Sequence, residues 1–219
     1  MPLSAIEKTK RAHYVLKKLQ ALYPNPKPPL DHEDAFTLLV AVALSAQTTD
    51  LMVNKVTADL FRVANSPEKM AKLTTDEILF HIRRTNYSPT KAKNLKKMSE
   101  ILILNFGSVV PKTFEELESL PGVGHKTASV VMTQAFGFPA FPVDTHIHRL
   151  AKRWKLSNGK SVVKTEEDLK KLFSENTWHD VHLQMIFYGR EHCSARGCKG
   201  TTCLICKKLN ASSLRSRKI

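Results

Sequence analysis

Apolar residues recur at helical spacing along almost the whole chain, and no run alternates apolar and polar positions between turn dipeptides as a half-buried strand would. Ala12, Val15, Leu16, Leu19, Leu22 and Tyr23 form the first stripe, which predicts an amphipathic helix over roughly the first two dozen residues. The proline-rich run 24–29 ends it and is the one clear linker. Asp34 is placed to cap the run 36–44, whose near-total lack of polar positions predicts a buried helix. A helix is predicted from Thr49 or Asp50 to about Ala64, and a short one after the cap-and-proline pair Ser66-Pro67. Thr74 with Glu77, and Thr113 with Glu116, have the spacing of a capping box. Further helices are predicted over 90–105, with Gly107 as the stop, and over 125–136, 145–154, 166–173 and 178–188. The expected fold class is all-α, with Leu38, Leu39, Val42, Val130, Val131 and Ile147 in the core.

Composition narrows the partners. The 219 residues carry 34 Lys and Arg against 20 Asp and Glu, a formal net charge of +14, while 42% apolar residues suffice for a packed core in one large or two modest domains. Such an excess of cations favours a polyanion, with nucleic acid ahead of an anionic membrane surface. No apolar run is long enough to span a bilayer, and residues 1–11 have no apolar signal-peptide region, so a cytoplasmic protein is expected. Two basic groups stand out. One comprises Arg83, Arg84, Lys91, Lys93, Lys96 and Lys97; the other comprises Arg196, Lys199, Lys207, Lys208, Arg215, Arg217 and Lys218. Either alone reads as a solvated face, but the two together point to phosphate contact.

All four cysteines, Cys193, Cys198, Cys203 and Cys206, fall within 14 residues. Without an export signal this reads as a metal site rather than as two disulfides.

The segment Leu120-Pro121-Gly122-Val123-Gly124-His125-Lys126 joins a short capped helix to a long apolar one. Gly122 and Gly124 permit a tight turn and a close backbone approach, and the turn feeds a helix N-terminus, where unpaired N–H groups favour an anion such as a DNA phosphate. A plain helix–turn–helix connection uses the same residues. Lys126 adds chemistry. Near the positive end of a helix dipole its ammonium form is disfavoured, and a neutral amine can attack a sugar carbon to form a Schiff base. Asp144 is placed to cap the helix from Thr145, and could equally take a proton from Lys126 or stabilise an oxocarbenium-like sugar. His146 and His148, two apart on different faces, do not make a paired metal site.

The hairpin, its lysine and Val143-Asp144-Thr145-His146 resemble the helix-hairpin-helix DNA glycosylases of the endonuclease III type. So do Leu44-Ser45-Ala46-Gln47-Thr48-Thr49-Asp50, Asn54-Lys55 and Tyr188-Gly189-Arg190, and the resemblance covers most of the chain. It implies an enzyme that removes oxidised pyrimidines from double-stranded DNA and nicks the abasic strand. Lys126 would be the attacking amine, Asp144 its activating carboxylate, and Gly122, Val123 and Gly124 the DNA-gripping turn. The damaged nucleotide would leave the stack, with Gln47 filling the space it vacates. The wedge position before Lys91-Ala92-Lys93-Asn94 falls on Tyr87, which could intercalate or be an ordinary loop residue.

The resemblance further implies a monomer with two helical domains flanking a DNA-binding cleft. One would be a six-helix domain over 28–138 containing the hairpin; the other would combine 1–27 with 139–219 and the cysteine loop, so that Asp144 faces Lys126. It also implies that the four cysteines hold a [4Fe-4S] cluster. Their spacing, C-x4-C-x4-C-x2-C, departs from the family's usual C-x6-C-x2-C-x5-C, and a structural zinc is the alternative. Other functional readings are an adenine or mismatch-specific thymine glycosylase of the same fold, which Lys126 disfavours, or a non-catalytic DNA-binding module.

Overall fold

The structure, a computed structural model, describes residues 3–215. Arg217 and Lys218 of the C-terminal basic group lie outside the described residues, as does the side chain of Arg215. Twelve α-helices and one 3-10 turn make up the regular structure, with no strand among the described residues. The chain forms two compact units, one of residues 28–138 and one combining 1–27 with 139–219.

The first unit holds α2 (Ala35–Leu44), α3 (Asp50–Val63), α4 (Pro67–Lys72), α5 (Thr75–Ile82), α6 (Ser88–Phe106), α7 (Phe114–Glu118) and α8 (His125–Phe136). That is seven helices where the resemblance implied six; the short α4 and α7, with their caps Ser66 and Thr113, were both already marked in the sequence pattern. α2 is the centre. Asp34 caps it by accepting the Thr37 N–H at 2.8 Å, and its sequence, apolar at every position but Thr37, packs against α3, α6 and α8. Leu38, Leu39, Val42, Val130 and Val131 are all buried, as their pattern demanded. Each buried Leu or Val side chain contributes about 1.5–3 kcal/mol, so such a helix is held by tertiary burial rather than by propensity. α6 lies across α4 and α5 and ends at Gly107, whose φ of +57° is left-handed.

The second unit holds α1 (Ala5–Leu22), α9 (Thr145–Arg153), α10 (Val162–Leu172), the 3-10 turn Glu175–Thr177, α11 (Trp178–Glu191) and α12 (Leu204–Arg215). Its core gathers Phe141, Ile147, Trp154 and Tyr188, with the Trp154 and Tyr188 rings edge-on at 5.7 Å. The buried Arg11 of α1 donates to the Trp154 carbonyl at 3.2 Å and the Leu209 carbonyl at 2.8 Å, so α1 is tied to residues far along the chain.

Two elements differ from the periodicity. α10 begins at Val162, earlier than expected, because Ser161 caps it by accepting the Lys164 N–H; Val162 and Val163 are exposed and carry no stripe. α12 has no counterpart in the sequence pattern, since its buried face is built partly from Cys206 and Leu209, within a run read for metal ligands and charge and not for periodicity.

Candidate functional site

The hairpin lies wholly in the first unit. Thr113 caps α7, and Leu117, Leu120 and Val123 are buried, fixing both arms of the turn to the core. The Val123 side chain is thus an anchor, and its N–H is spent inside the predicted gripping turn, donating to the Leu120 carbonyl at 3.1 Å. The two glycines serve different ends. Gly122 has φ +81°, and a Cβ there would sit 2.8 Å from Asn94 Nδ2, so the fold itself requires glycine. Gly124 has an ordinary φ of −101°, and a Cβ would meet nothing within 4 Å. The fold leaves that position open to approach from outside. Gly124 is also the N-cap of α8, which has no side-chain cap. His125 joins α8 to α7, its Nδ1 2.7 Å from Glu118 Oε1 and its ring stacked on Phe114. Lys126 follows as the second residue of α8 and is half-buried.

Gln47 and Tyr87 occupy two turns of the same unit, and both are left-handed, with φ of 55° and 57°. Asn86 joins them, its side-chain amide donating to the Gln47 carbonyl and its N–H to Thr48 Oγ1 at 3.2 Å. Here the sequence reading of Lys91 as a phosphate contact is corrected. Lys91 is 8% exposed, and its Nζ donates to Leu44 O at 2.8 Å, Ala46 O at 2.8 Å and Thr48 Oγ1 at 3.1 Å. It closes the C-terminal end of α2, where carbonyls lack helical partners and a cation is favoured. Burial lowers its pKa from the ordinary lysine value. Lys96 is likewise turned inward, to the Ala71 carbonyl and Glu100. Arg83, Arg84, Lys93 and Lys97 of that group are exposed.

In the second unit Asp144 caps α9, its Oδ1 accepting the Ile147 N–H at 2.8 Å. His146 Nδ1 accepts from Arg149, and His148 Nδ1 lies 2.9 Å from Thr165 Oγ1, so the two histidines face separate partners. Burial, the dominant influence, pulls the His146 pKa below the ordinary histidine value. The far end of α9 grips the cysteine loop. Arg149 donates to the carbonyls of Gly189 and Cys193, and Arg153 to the carbonyls of Cys193, Ser194 and Ala195 and to Cys193 Sγ at 3.3 Å. Neither arginine was singled out from sequence, though their i, i+4 spacing puts both on one helical face.

Cys193, Cys198, Cys203 and Cys206 are all buried, with their sulfurs within 4.8 Å of one another. The shifts split the set: Cys193 is pushed up to about 11 by its hydrogen bond with Cys203, and Cys206 is raised by Cys193 and Cys203. Cys203 is lowered by its bonds with Cys193 and Cys206. Burial alone would raise Cys198, but it falls to about 7 because hydrogen bonds from Thr202 and nearby N–H groups outweigh that burial. Sulfurs this crowded resist ionising together unless a cation compensates them. The donor set, four thiolates closed off from solvent, fits a group bound through sulfur alone, either an iron–sulfur cluster or a tetrahedral zinc. Arg196, Lys199, Lys207 and Lys208 ride exposed on the same loop and the start of α12. No helix among the described residues is long and apolar enough to cross a membrane.

Residues 40–175 match the profile of the HhH-GPD superfamily of base excision DNA repair proteins. The Endonuclease III of Bacillus subtilis strain 168 is 38% identical over 210 residues, covering 95% of this chain and 96% of that one. A non-covalent Endonuclease III–DNA complex is similar in structure, with a TM-score of 0.88 and 37% identity over 96% of this chain and 99% of that one. A trapped Endonuclease III–DNA covalent intermediate gives a TM-score of 0.85 at 37% identity, over 91% of this chain and 97% of that one.

Proposed function

Because the chain belongs to the HhH-GPD superfamily of base excision DNA repair proteins, we propose that it is a bifunctional DNA glycosylase and abasic-site lyase acting on oxidised pyrimidines in duplex DNA. The observation that carries this reading is Lys126, one residue into the helix after the glycine turn, in a chain similar over nearly its full length to an enzyme whose DNA complex has been trapped covalently. The two units are read as two domains, and the protein as a cytoplasmic monomer working on the chromosome.

In this reading the open backbone at Gly124 and the uncapped start of α8 receive a phosphate. The damaged nucleotide swings out, Gln47 fills the gap and Tyr87 wedges the stack. Asp144 takes the proton that makes Lys126 a neutral amine. Nζ then bonds to C1′ as the bond from C1′ to the base breaks, and the base leaves with a proton. Opening of the sugar gives an imine; loss of a C2′ proton expels the 3′ phosphate, and water releases the lysine. A metal group held by Cys193, Cys198, Cys203 and Cys206 would take no part in these steps; it would close the loop that carries Lys199, Lys207 and Lys208.

For the metal, the family resemblance supports a [4Fe-4S] cluster held by Cys193, Cys198, Cys203 and Cys206. A tetrahedral zinc bound by the same four thiolates is the alternative. Brown protein containing iron and sulfide establishes the cluster; colourless protein with one zinc per chain establishes the single ion.

Borohydride trapping on abasic duplex DNA tests the enzyme reading. A covalent adduct is expected with the wild type and none with Lys126→Ala. Tight DNA binding without any adduct would leave a non-catalytic binding module, and base release without nicking would leave a monofunctional glycosylase.

A further inference from the structure

The Gln47 and Asn86-Tyr87 turns are 39 residues apart in sequence, yet one set of hydrogen bonds makes them a single body. Thr48 Oγ1 is the hub, accepting from Lys91 Nζ and from the Asn86 N–H while donating to the Ala46 carbonyl at 3.4 Å. Lys91 sits beneath, in the first turn of the helix that Tyr87 begins, with its ammonium on the last carbonyl of α2 and on the turn that follows. Gln47 and Tyr87 both hold left-handed backbone that L residues rarely adopt, and such conformations persist only where neighbours over-determine them.

We propose that Lys91 is a positioning residue for base extrusion: it locks the turns carrying Gln47 and Tyr87 into one preformed head without itself touching DNA. This rests on the reading of Gln47 and Tyr87 as the side chains that enter the duplex. The physical reason is entropic. Two loose turns would have to order as they entered, and that cost would subtract from the binding energy available to unstack a base. A head assembled before contact avoids it. The ammonium is suited to this role because it has three donors, each with an acceptor here, and no one neutral side chain of similar length supplies three.

The test compares substrates that need extrusion with one that does not. Lys91→Met is expected to slow excision from a lesion-containing duplex by about 10²-fold, the scale of a misplaced positioning group. It should also lose the fluorescence rise of a 2-aminopurine placed opposite the lesion, while borohydride trapping on a single-stranded abasic oligonucleotide stays close to wild type. Lys91→Arg, which keeps the donors, should restore most of the duplex rate. Equal slowing on both substrates, or an unchanged duplex rate and fluorescence, overturns the proposal. Should Lys91→Met fail to fold, Asn86→Ala decides the matter from the exposed side: it cuts the other tie, and an unaltered 2-aminopurine signal overturns the coupled head. That signal needs no bond cleavage. A wild type that inserts but never traps therefore defeats the lyase reading and leaves the positioning claim standing.

Discussion

The carboxylate of Asp144 accepts the Ile147 N–H at 2.8 Å, and an asparagine oxygen can accept the same bond. Its cap and its proposed chemistry can therefore be pulled apart. Asp144→Asn is expected to melt like the wild type while losing most of its glycosylase rate, whereas Asp144→Ala also loses about 1 kcal/mol of stability with the cap. Unfolding curves and single-turnover rates check this, and an active Asp144→Asn would show that only the cap is used. The hairpin glycines divide in the same manner. Gly122→Ala would combine left-handed backbone with a contact 2.8 Å from Asn94, and should cost about 1–3 kcal/mol in urea unfolding. Gly124→Ala fits its backbone and its space, so it should cost less than about 1 kcal/mol yet weaken duplex binding. Strong binding by a stable Gly124→Ala would remove that turn from the interface.

Among the elements, α9 has duties at both ends, with Asp144 at its start and the arginine clamp on the cysteine loop at its finish. Arg153→Met removes donors to three carbonyls and one sulfur, and is expected to hasten metal loss to a chelator while leaving borohydride trapping intact. Metal release followed by absorbance or by a zinc dye, beside a trapping gel, checks it. Most helices could be read from the sequence because caps and apolar stripes agree: Asp34 before α2 and Thr74 with Glu77 at α5 are realised as hydrogen bonds. Lys91 was misread because charge was weighed by composition and not by register. It lies four residues before Leu95 and seven before Met98, on the buried stripe of α6, and a cation on such a stripe must have found acceptors inside. The turn at Gln47 was out of reach for another reason. Its carbonyl accepts from Asn86 and the neighbouring Ala46 carbonyl from Lys91, and no local signal in Ser45-Ala46-Gln47-Thr48 announces partners so distant.

For the molecule as a whole, a formal charge of +14 dominates long-range behaviour, even with Lys91 and Lys96 turned inward. Duplex affinity is expected to fall steeply and log-linearly with salt as condensed counterions are released, with neutralisation of Lys207 and Lys208 lowering the slope and Lys91→Met leaving it unchanged. Binding isotherms across a salt series measure this, and a flat response would remove the exposed basic faces from the footprint. The chain's path between its two units has a further consequence, for the order of synthesis. Segment 28–138 is a compact unit with its own hydrophobic core, and that core is complete once the segment has left the ribosome. α1 emerges before it but rests on Trp154 and Leu209, 143 and 198 residues downstream of Arg11. A nascent chain halted after residue 138 would therefore display a finished hairpin and both probing turns, while its first helix waited, amphipathic and uncovered, as a target for chaperones or proteases.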